Sequence, residues 1–149
     1  MPVIDTREFS YLYQSLHKIH YKMHGETKKF MRQEGDKLKR RTAREARKRV
    51  KKTAVERPQY KREAGQYHKS IKRGKVVYQK DGQAHVRVYS SDRIAHLVEN
   101  GWTPKSRSGK RGKKKGGRNV FDQAAKNFEQ EFEMDCGMFV DRMLRDFDD

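Results

Sequence analysis

Apolar residues recur at helical spacing in two long stretches, one toward each end of the chain. In residues 6–53 they come every three or four positions, which predicts an amphipathic helical region. Gly25 and Gly35 interrupt the pattern, and glycine costs a helix interior about 1 kcal/mol relative to alanine. We therefore expect two helices or one bent helix. The clearest part of the stripe is Phe9, Leu12, Tyr13, Leu16, Ile19, His20 and Met23.

The length of this region has a structural consequence. An unbroken helix of about 45 residues would span about 65 Å, far more than the radius of a domain of this size. Such a helix would project beyond its own domain. Its apolar stripe would then need a partner to cover it.

The second stretch, residues 120–147, predicts one continuous C-terminal helix. Its residues from Asp122 onward carry nine acids and three bases, a net of −6, whereas residues 26–52 carry thirteen bases and four acids, a net of +9. The two helical regions can therefore pair, within a subunit or between subunits. The C-terminal stripe is Phe121, Ala124, Ala125, Phe128, Phe132, Cys136, Phe139, Val140, Met143, Leu144 and Phe147.

Shorter elements are predicted between the two helical regions. Residues 54–69 lack periodicity and are predicted as a loop, whereas residues 70–101 predict a β-hairpin and a short helix. Asp81-Gly82 suits the hairpin turn, and Gly101 suits the end of the short helix. The expected fold is α+β, with both helical regions packed on a small antiparallel sheet in a single domain over residues 1–149.

The charge of the chain points to a polyanion as a partner. Of its 149 residues 38% are charged and 33% are hydrophobic, and the formal net charge is +17. Such a charge favours contact with nucleic acid, although a merely solvated basic face stays open. The low hydrophobic fraction also predicts a small core, with mobile segments or further copies of the chain to complete it.

The basic charge is densest in residues 102–119, a glycine-rich segment without acids that is predicted to be a mobile loop. Its lysines and arginines can neutralise phosphates without reading sequence. Trp102 either stacks on a base or anchors the loop to protein, and we favour the anchor. The candidate contact residues for DNA or a neighbouring ring are Lys105, Arg107, Lys110, Arg111, Lys113, Lys114, Lys115 and Arg118.

Candidate catalytic and metal-binding residues are sparse. His17, His20 and His24 share a helix face that can bind zinc, but no carboxylate or thiol there completes the set. Small basic ribonucleases use histidines and a glutamate for catalysis, and this chain offers His68, His85, His96 and Glu99. No spacing among these four residues requires that they share a cleft. We expect no enzyme activity, no catalytic residue, no metal and no cofactor.

The cysteine content and the lack of a long apolar run predict the cellular compartment of the protein. Cys136 is the single cysteine, which fits a reducing environment and is expected to be a buried thiol. No apolar run approaches the roughly 20 residues of a membrane span, and the first residues show no signal pattern. We expect a protein made in the bacterial cytoplasm with no membrane partner.

Two short motifs resemble those of a family of neck proteins from long-tailed bacteriophages, the tail-completion or head-tail joining proteins. The first motif follows Pro58 and comprises Gly65, Tyr67, Ser70 and Ile71; the second is Ala95, Val98, Glu99 and Gly101. The likeness runs from about Phe9 to Phe132. Ala64, Tyr67 and Asn100 depart from residues that are frequent in the family. We expect Glu99 to cap neighbouring amides or to pair with a base.

The resemblance implies a structural virion protein at the head-tail interface. It implies a homo-oligomeric ring, a hexamer with a dodecamer as the alternative, acting with head-completion (stopper) and tail-terminator proteins. The basic loop would face either the DNA in the channel or a neighbouring ring. A standalone nucleic-acid-binding protein is the alternative function, and it rests on charge alone.

Overall fold

The fold has two long helices, one toward each end of the chain, and a set of small antiparallel sheets between them in sequence, so the predicted α+β class is confirmed. The computed structural model describes residues 6–148, and side chains within residues 10–146; the side chains of Phe9 and Phe147 lie outside the described part. The elements are α1 Thr6–Arg49, β1 Val55–Arg57, β2 Tyr60–Arg62, α2 Gln66–Lys69, β3 Ile71–Arg73, β4 Val77–Tyr78, β5 Ala84–His85, β6 Val88–Ser90, α3 Ala95–Asn100, β7 Gly101–Trp102, β8 Lys115–Gly116 and α4 Val120–Asp148.

Helix α1 is a single helix of 44 residues, so of the two expectations, two helices or one bent helix, the division into two helices is wrong. Gly35 is accounted for by packing. A Cβ there would lie 2.7 Å from Cδ of Arg73 and 3.0 Å from both methyl groups of Val86. The missing side chain therefore lets the hairpin of β3 to β6 lie against the helix. Around Gly25 there is open space, and nothing in the structure explains that glycine.

The oppositely charged helices α1 and α4 pair with each other inside one subunit, antiparallel. Lys37 Nζ lies 2.5 Å from Oδ2 of Asp135, and the rings of Phe30 and Phe139 stack with centroids 4.5 Å apart. An Arg41–Glu131 ion pair adds a further contact. Because part-exposed ion pairs contribute about 0–1 kcal/mol each, the aromatic and aliphatic contacts supply most of the stabilisation.

Helix α1 extends well beyond the end of its partner. The most distal ion pair between the two helices joins Lys22 and Asp146 at 3.5 Å, near the end of α4. Residues 6–21, which we call the α1 tip, lie beyond it and span about 24 Å. Within the tip Tyr11, Tyr13 and Tyr21 are 70%, 69% and 75% exposed. The predicted projection of α1 is therefore present.

Residues 70–90 form the predicted hairpin with one irregularity. Ile71 pairs with Ser90 and Arg73 with Val88, whereas Val77 pairs with His85, so the register shifts by one residue between the two strand pairs. Such an extra residue bends a hairpin and increases its twist. Gly82 has φ +83° in the turn, as the Asp-Gly sequence predicts.

Residues 54–69 are more ordered than the predicted loop. Strands β1 and β2 pair through a turn at Pro58 and Gln59, and the short helix α2 follows. Proline fixes φ at a value that suits this turn, but the strands are too short to produce a visible alternation of apolar residues.

The core is small and lies where the C-terminal end of α1 meets the start of α4. Ala46, Tyr67, Ile71 and Val120 form a buried cluster, and Val88, Ala95 and Val98 are among the residues packed around it. A line of buried side chains, Ala124, Phe128 and Met143, continues the apolar contact along α4. The cluster brings together residues that lie far apart in sequence.

One carboxyl between the helices makes stability depend on pH. Glu34 is 3% exposed, and its Oε1 lies 2.9 Å from Nζ of Lys37. Burial raises the pKa of Glu34, Lys37 opposes that shift, and Asp135 adds to it. The folded protein therefore keeps this proton to higher pH than the unfolded chain, and this carboxyl's contribution to the free energy of unfolding falls as pH rises.

Replacing Glu34 with glutamine is expected to remove that dependence. Relative to the wild type, Glu34→Gln should gain thermal stability as pH rises from the ordinary pKa of a glutamate, about 4.5, until the raised pKa of Glu34 is passed. Glu63→Gln, at an exposed acid, is the matched control. A difference between Glu34→Gln and wild type that stays constant over this range would contradict the assignment.

Candidate functional site

The two motifs identified from the sequence lie side by side and share the core. Gly65, with φ +76°, precedes α2, which places Tyr67 and Ile71 in the buried cluster. Ser70 Oγ donates to the carbonyl of Tyr67 at 2.6 Å and contacts Oγ of Ser90 at 2.5 Å. The first motif thus sets the entry into β3 and ties it to β6.

The second motif is joined to the first through β6 and α3. Ala95 and Val98 pack against the buried cluster. Just before α3, Asp92 accepts hydrogen bonds from Nη1 of Arg62 at 3.2 Å and from Nη2 at 2.5 Å. Asp92 Oδ1 also accepts from the amide of Ile94 at 3.2 Å, just before α3 begins at Ala95. The Arg62–Asp92 ion pair was not predicted, because nothing in the sequence links these two positions.

Glu99 caps the N-terminus of α4 from outside that helix. Its Oε2 accepts from the amide of Val120 at 3.0 Å, and its Oε1 accepts from Phe121 at 2.7 Å and Asp122 at 3.4 Å. These amides have no partner within the helix, and a carboxylate beside them is favoured by the helix dipole. The expected capping role is confirmed, with the last helix as its target.

Two glycines allow the backbone after Glu99 to touch the backbone before α4. A Cβ on Gly101, where φ is +80°, would lie 2.2 Å from the carbonyl oxygen of Lys115, and one on Gly117 would lie 2.0 Å from that of Glu99. The amide of Arg118 donates to the carbonyl of Val98 at 2.7 Å. The second motif therefore holds both the start of α4 and the base of the segment between Gly101 and Gly117.

Residues 101–118, which the sequence predicts as a mobile loop, contain a short strand pairing, and we call this segment the basic hairpin. Trp102 pairs with Lys115 across β7 and β8, and a bridge joins Lys105 to Arg111. The glycines at its base permit pairing that composition alone does not reveal. Whether the hairpin is mobile in solution stays a prediction.

All eight candidate contact residues of the basic hairpin are exposed. The segment from 103 to 119 has no acid, so the positive charge of its exposed lysines and arginines is not balanced within the segment. Trp102 is 43% exposed, with Nζ of Lys115 5.1 Å from the ring centroid. Its ring lines an open cleft of about 670 Å³, together with Val50, Val55, Tyr60 and Leu97.

Two of the groups considered for catalysis, His68 and Glu99, are held in structural contacts, and the Cys136 thiol is half-buried. His68 Nε2 contacts the carbonyl oxygens of Ala46 at 3.2 Å and Val50 at 3.0 Å, so this nitrogen carries the proton and closes the end of α1. The carboxylate of Glu99 accepts hydrogen bonds from the first amides of α4. Burial raises the pKa of Cys136, and nearby acids including Glu34 raise it further, which keeps the half-buried thiol protonated.

The histidines of α1 do not assemble a site in the described part of the chain. His24 stacks on the ring of Tyr78 at 4.0 Å, whereas His17 contacts its neighbours Tyr13 and Tyr21 along the helix. Within residues 6–148 no cluster of three or more histidine, cysteine or acidic side chains is arranged to hold a metal ion. Over the same residues no helix is long and apolar enough to cross a membrane.

Comparison with known proteins yields one match. Residues 22–101, more than half of the 149-residue chain, match a family model described as "Bacteriophage HK97-gp10, putative tail-component". No curated protein and no solved structure matches the chain. The matched segment contains most of α1, both motifs and α3, and it ends at Gly101. The α1 tip, the rest of the basic hairpin and α4 lie outside it.

Proposed function

Because the chain belongs to the HK97-gp10-like family of bacteriophage tail components, we propose that it is a structural virion protein of the phage neck. In this proposal the protein forms a ring at the head-tail interface and is needed for tail completion and head-tail joining. Its partners are further copies of itself, the head-completion protein and the tail-terminator protein.

The exposed α1 tip is the observation that supports a ring. Leu12 and Leu16 are 56% and 55% exposed, so their face of the helix is largely uncovered by the residues that the structure describes. A projecting amphipathic helix of this kind buries its stripe against another chain. Cyclic rings use heterologous contacts, in which one face of a subunit meets a different face of the next.

The same proposal assigns no catalytic role to the chain. Glu99 accepts hydrogen bonds from three amides and His68 is bonded to two carbonyls. A general base must be free to take a proton from substrate. These contacts support an architectural role for the two groups that a ribonuclease would need most.

The ring is tested by the mass of the assembled protein. Native mass spectrometry of the purified chain, with negative-stain images of the same sample, should give one closed oligomer. A hexamer is expected, and a dodecamer is the alternative. A protein that remains monomeric at high concentration, and is missing from purified particles, would overturn the proposal.

Standalone nucleic-acid binding is the second candidate, and the basic hairpin is the observation that favours it. A protein of this kind binds duplex DNA with an affinity that falls by a log–log slope of about −0.9 per phosphate contacted as salt increases. In the neck proposal the hairpin meets either the DNA in the channel or a neighbouring ring. The two candidates differ in whether loss of the hairpin charge abolishes function or leaves the ring intact.

Neutralising three hairpin lysines separates these cases. The triple variant Lys113→Gln, Lys114→Gln and Lys115→Gln should weaken duplex binding and reduce the salt slope by up to about 3, while the oligomer stays intact. Lys28→Gln, Lys29→Gln and Lys39→Gln remove the same charge from exposed positions on α1 and serve as the control. Equal losses in both triple variants would assign binding to net charge alone.

A further inference from the structure

The apolar seam of the α1 tip has the spacing of a coiled coil. Leu12, Leu16 and Ile19 in the tip, and Met23 just after it, follow one another at alternating intervals of four and three residues. This 3.5-residue period keeps the four side chains on one face, where they insert between the side chains of a second helix. The spacing therefore indicates that the missing partner of the tip is itself a helix.

Helix α4 covers the same face of α1 farther along. Continuing the spacing from Met23 reaches Glu26, which lies 3.8 Å from Arg142, and Phe30, which stacks on Phe139. Within residues 6–148 the seam is largely uncovered toward the start of α1, where Leu12, Leu16 and Met23 are 56%, 55% and 44% exposed. The seam thus continues an intramolecular helix-helix contact past the point where its own partner ends.

A second uncovered apolar surface lies on α4. Val140 and Leu144, one turn apart, are 51% and 58% exposed on a side of α4 away from α1. Gly137, one turn before, has nothing within 4 Å of a Cβ position, so this side of the helix has a shallow recess. We call the surface of Gly137, Val140 and Leu144 the α4 stripe.

The charges beside the two apolar surfaces are opposite in sign. Along the seam, from Leu12 to Met23, α1 carries Lys18 and Lys22 and no acid. The α4 stripe continues toward the N-terminus of its helix into the exposed acids Glu129 and Glu133. A basic helix laid along an acidic one avoids like-charge contacts and favours this pairing over pairing of two tips.

We propose that the α1 tip of one copy packs, helix on helix, against the α4 stripe of the neighbouring copy. The inference rests on the proposed ring and names the faces that meet in it. The two surfaces differ, so the contact is heterologous and can repeat around a closed ring. Pairing of tip with tip would instead bury the seam in a two-fold dimer. Alternatively, it would gather the tips of several copies into a bundle on the ring axis, where the channel must stay open.

Directed cross-linking tests which faces meet. In a background of Cys136→Ser, one tagged chain carries Leu16→Cys and one untagged chain carries Leu144→Cys. The two are mixed, assembled and oxidised. The mixed covalent dimer is expected in about tenfold excess over either homodimer, because packing raises the local concentration of the two thiols. Ile19→Cys with Val140→Cys covers a shift in register.

Tyr21 supplies the matched control. Its side chain is 75% exposed on the side of α1 opposite the seam. Tyr21→Cys mixed with Leu144→Cys should give at most background cross-linking. Circular dichroism of each variant establishes that α1 stays helical.

Three outcomes are distinguishable. The mixed dimer from both seam pairs, and not from the control, supports the proposed contact. An intact oligomer in which copies carrying Leu16→Cys link to each other, or in which neither pair links, overturns the contact and leaves the ring standing. A wild-type protein that forms no oligomer removes the ring and the contact together.

Discussion

Replacing Glu99 with alanine is expected to lower the free energy of unfolding by about 3 kcal/mol, because hydrogen bonds to charged acceptors contribute about 1.5–3 kcal/mol. The variant loses the acceptor for three amides at the start of α4, and one of them belongs to Val120, which is fully buried. The loss of the carboxylate also removes a favourable interaction with the helix dipole. For a chain of this size, Tm should fall by about 6–12 °C.

Two further variants show whether the cap is the cause. Glu99→Gln keeps one side-chain oxygen but no charge, so its loss should be about half as large. Glu129→Gln removes an exposed acid from the surface of α4 and should change stability by less than about 0.5 kcal/mol. Thermal and urea unfolding measure all three variants. A loss for Glu99→Ala no greater than that for Glu129→Gln would contradict the capping role.

Replacing Gly117 with alanine is expected to detach the basic hairpin from the second motif. The added Cβ would lie 2.0 Å from the carbonyl oxygen of Glu99, and a backbone atom cannot move aside as a flexible side chain can. A contact this short forces the two backbones apart, at a cost of about 3 kcal/mol or more. Gly101→Ala should act similarly, since its Cβ would lie 2.2 Å from the carbonyl oxygen of Lys115.

The neighbouring glycine gives a close control. A Cβ on Gly116 meets nothing within 4 Å, and its φ is not positive, so Gly116→Ala should be nearly neutral. Limited trypsin digestion monitors the hairpin directly, because cleavage at its exposed lysines and arginines requires the backbone to open locally, and a released hairpin opens more readily. Faster cleavage is expected in Gly117→Ala alone. Equal cleavage rates in the two variants would show that the close backbone approach has no structural consequence.

The helices, the central hairpin and α3 were predictable because their patterns are local. The apolar stripe of α4 and the Asp81-Gly82 turn each lie within one element, and the structure places both as the sequence predicts. The role of Glu99 was predictable in kind, as a cap for nearby amides. Its target was not, because Val120 is brought beside it only by folding.

The errors have a common cause in contacts between distant residues. Gly35 interrupts the local helix pattern, yet the strands that pack against it allow α1 to continue. The basic hairpin has a composition that opposes order, yet Gly101 and Gly117 allow its base to pair closely with the second motif. Neither effect leaves a periodic signal in the chain.

The functional surfaces, too, were only partly predictable from the sequence. Of the motif residues, Tyr67, Ile71, Ala95 and Val98 pack in or against one core, and Glu99 caps the start of α4. The α1 tip could be predicted to project, from the length of its stripe. The α4 stripe could not be distinguished in sequence from the side of α4 that packs on α1, because apolar residues occur on both.

The role in head-tail joining is tested most directly by electron microscopy of lysates from a phage or prophage that lacks this gene. The account predicts filled heads beside separate tails, and joined particles once the wild-type protein is supplied. Supply of a chain carrying Leu16→Glu, which places a charge in the seam of the α1 tip, should leave heads and tails apart. Normal joined particles in the absence of the gene would contradict the account.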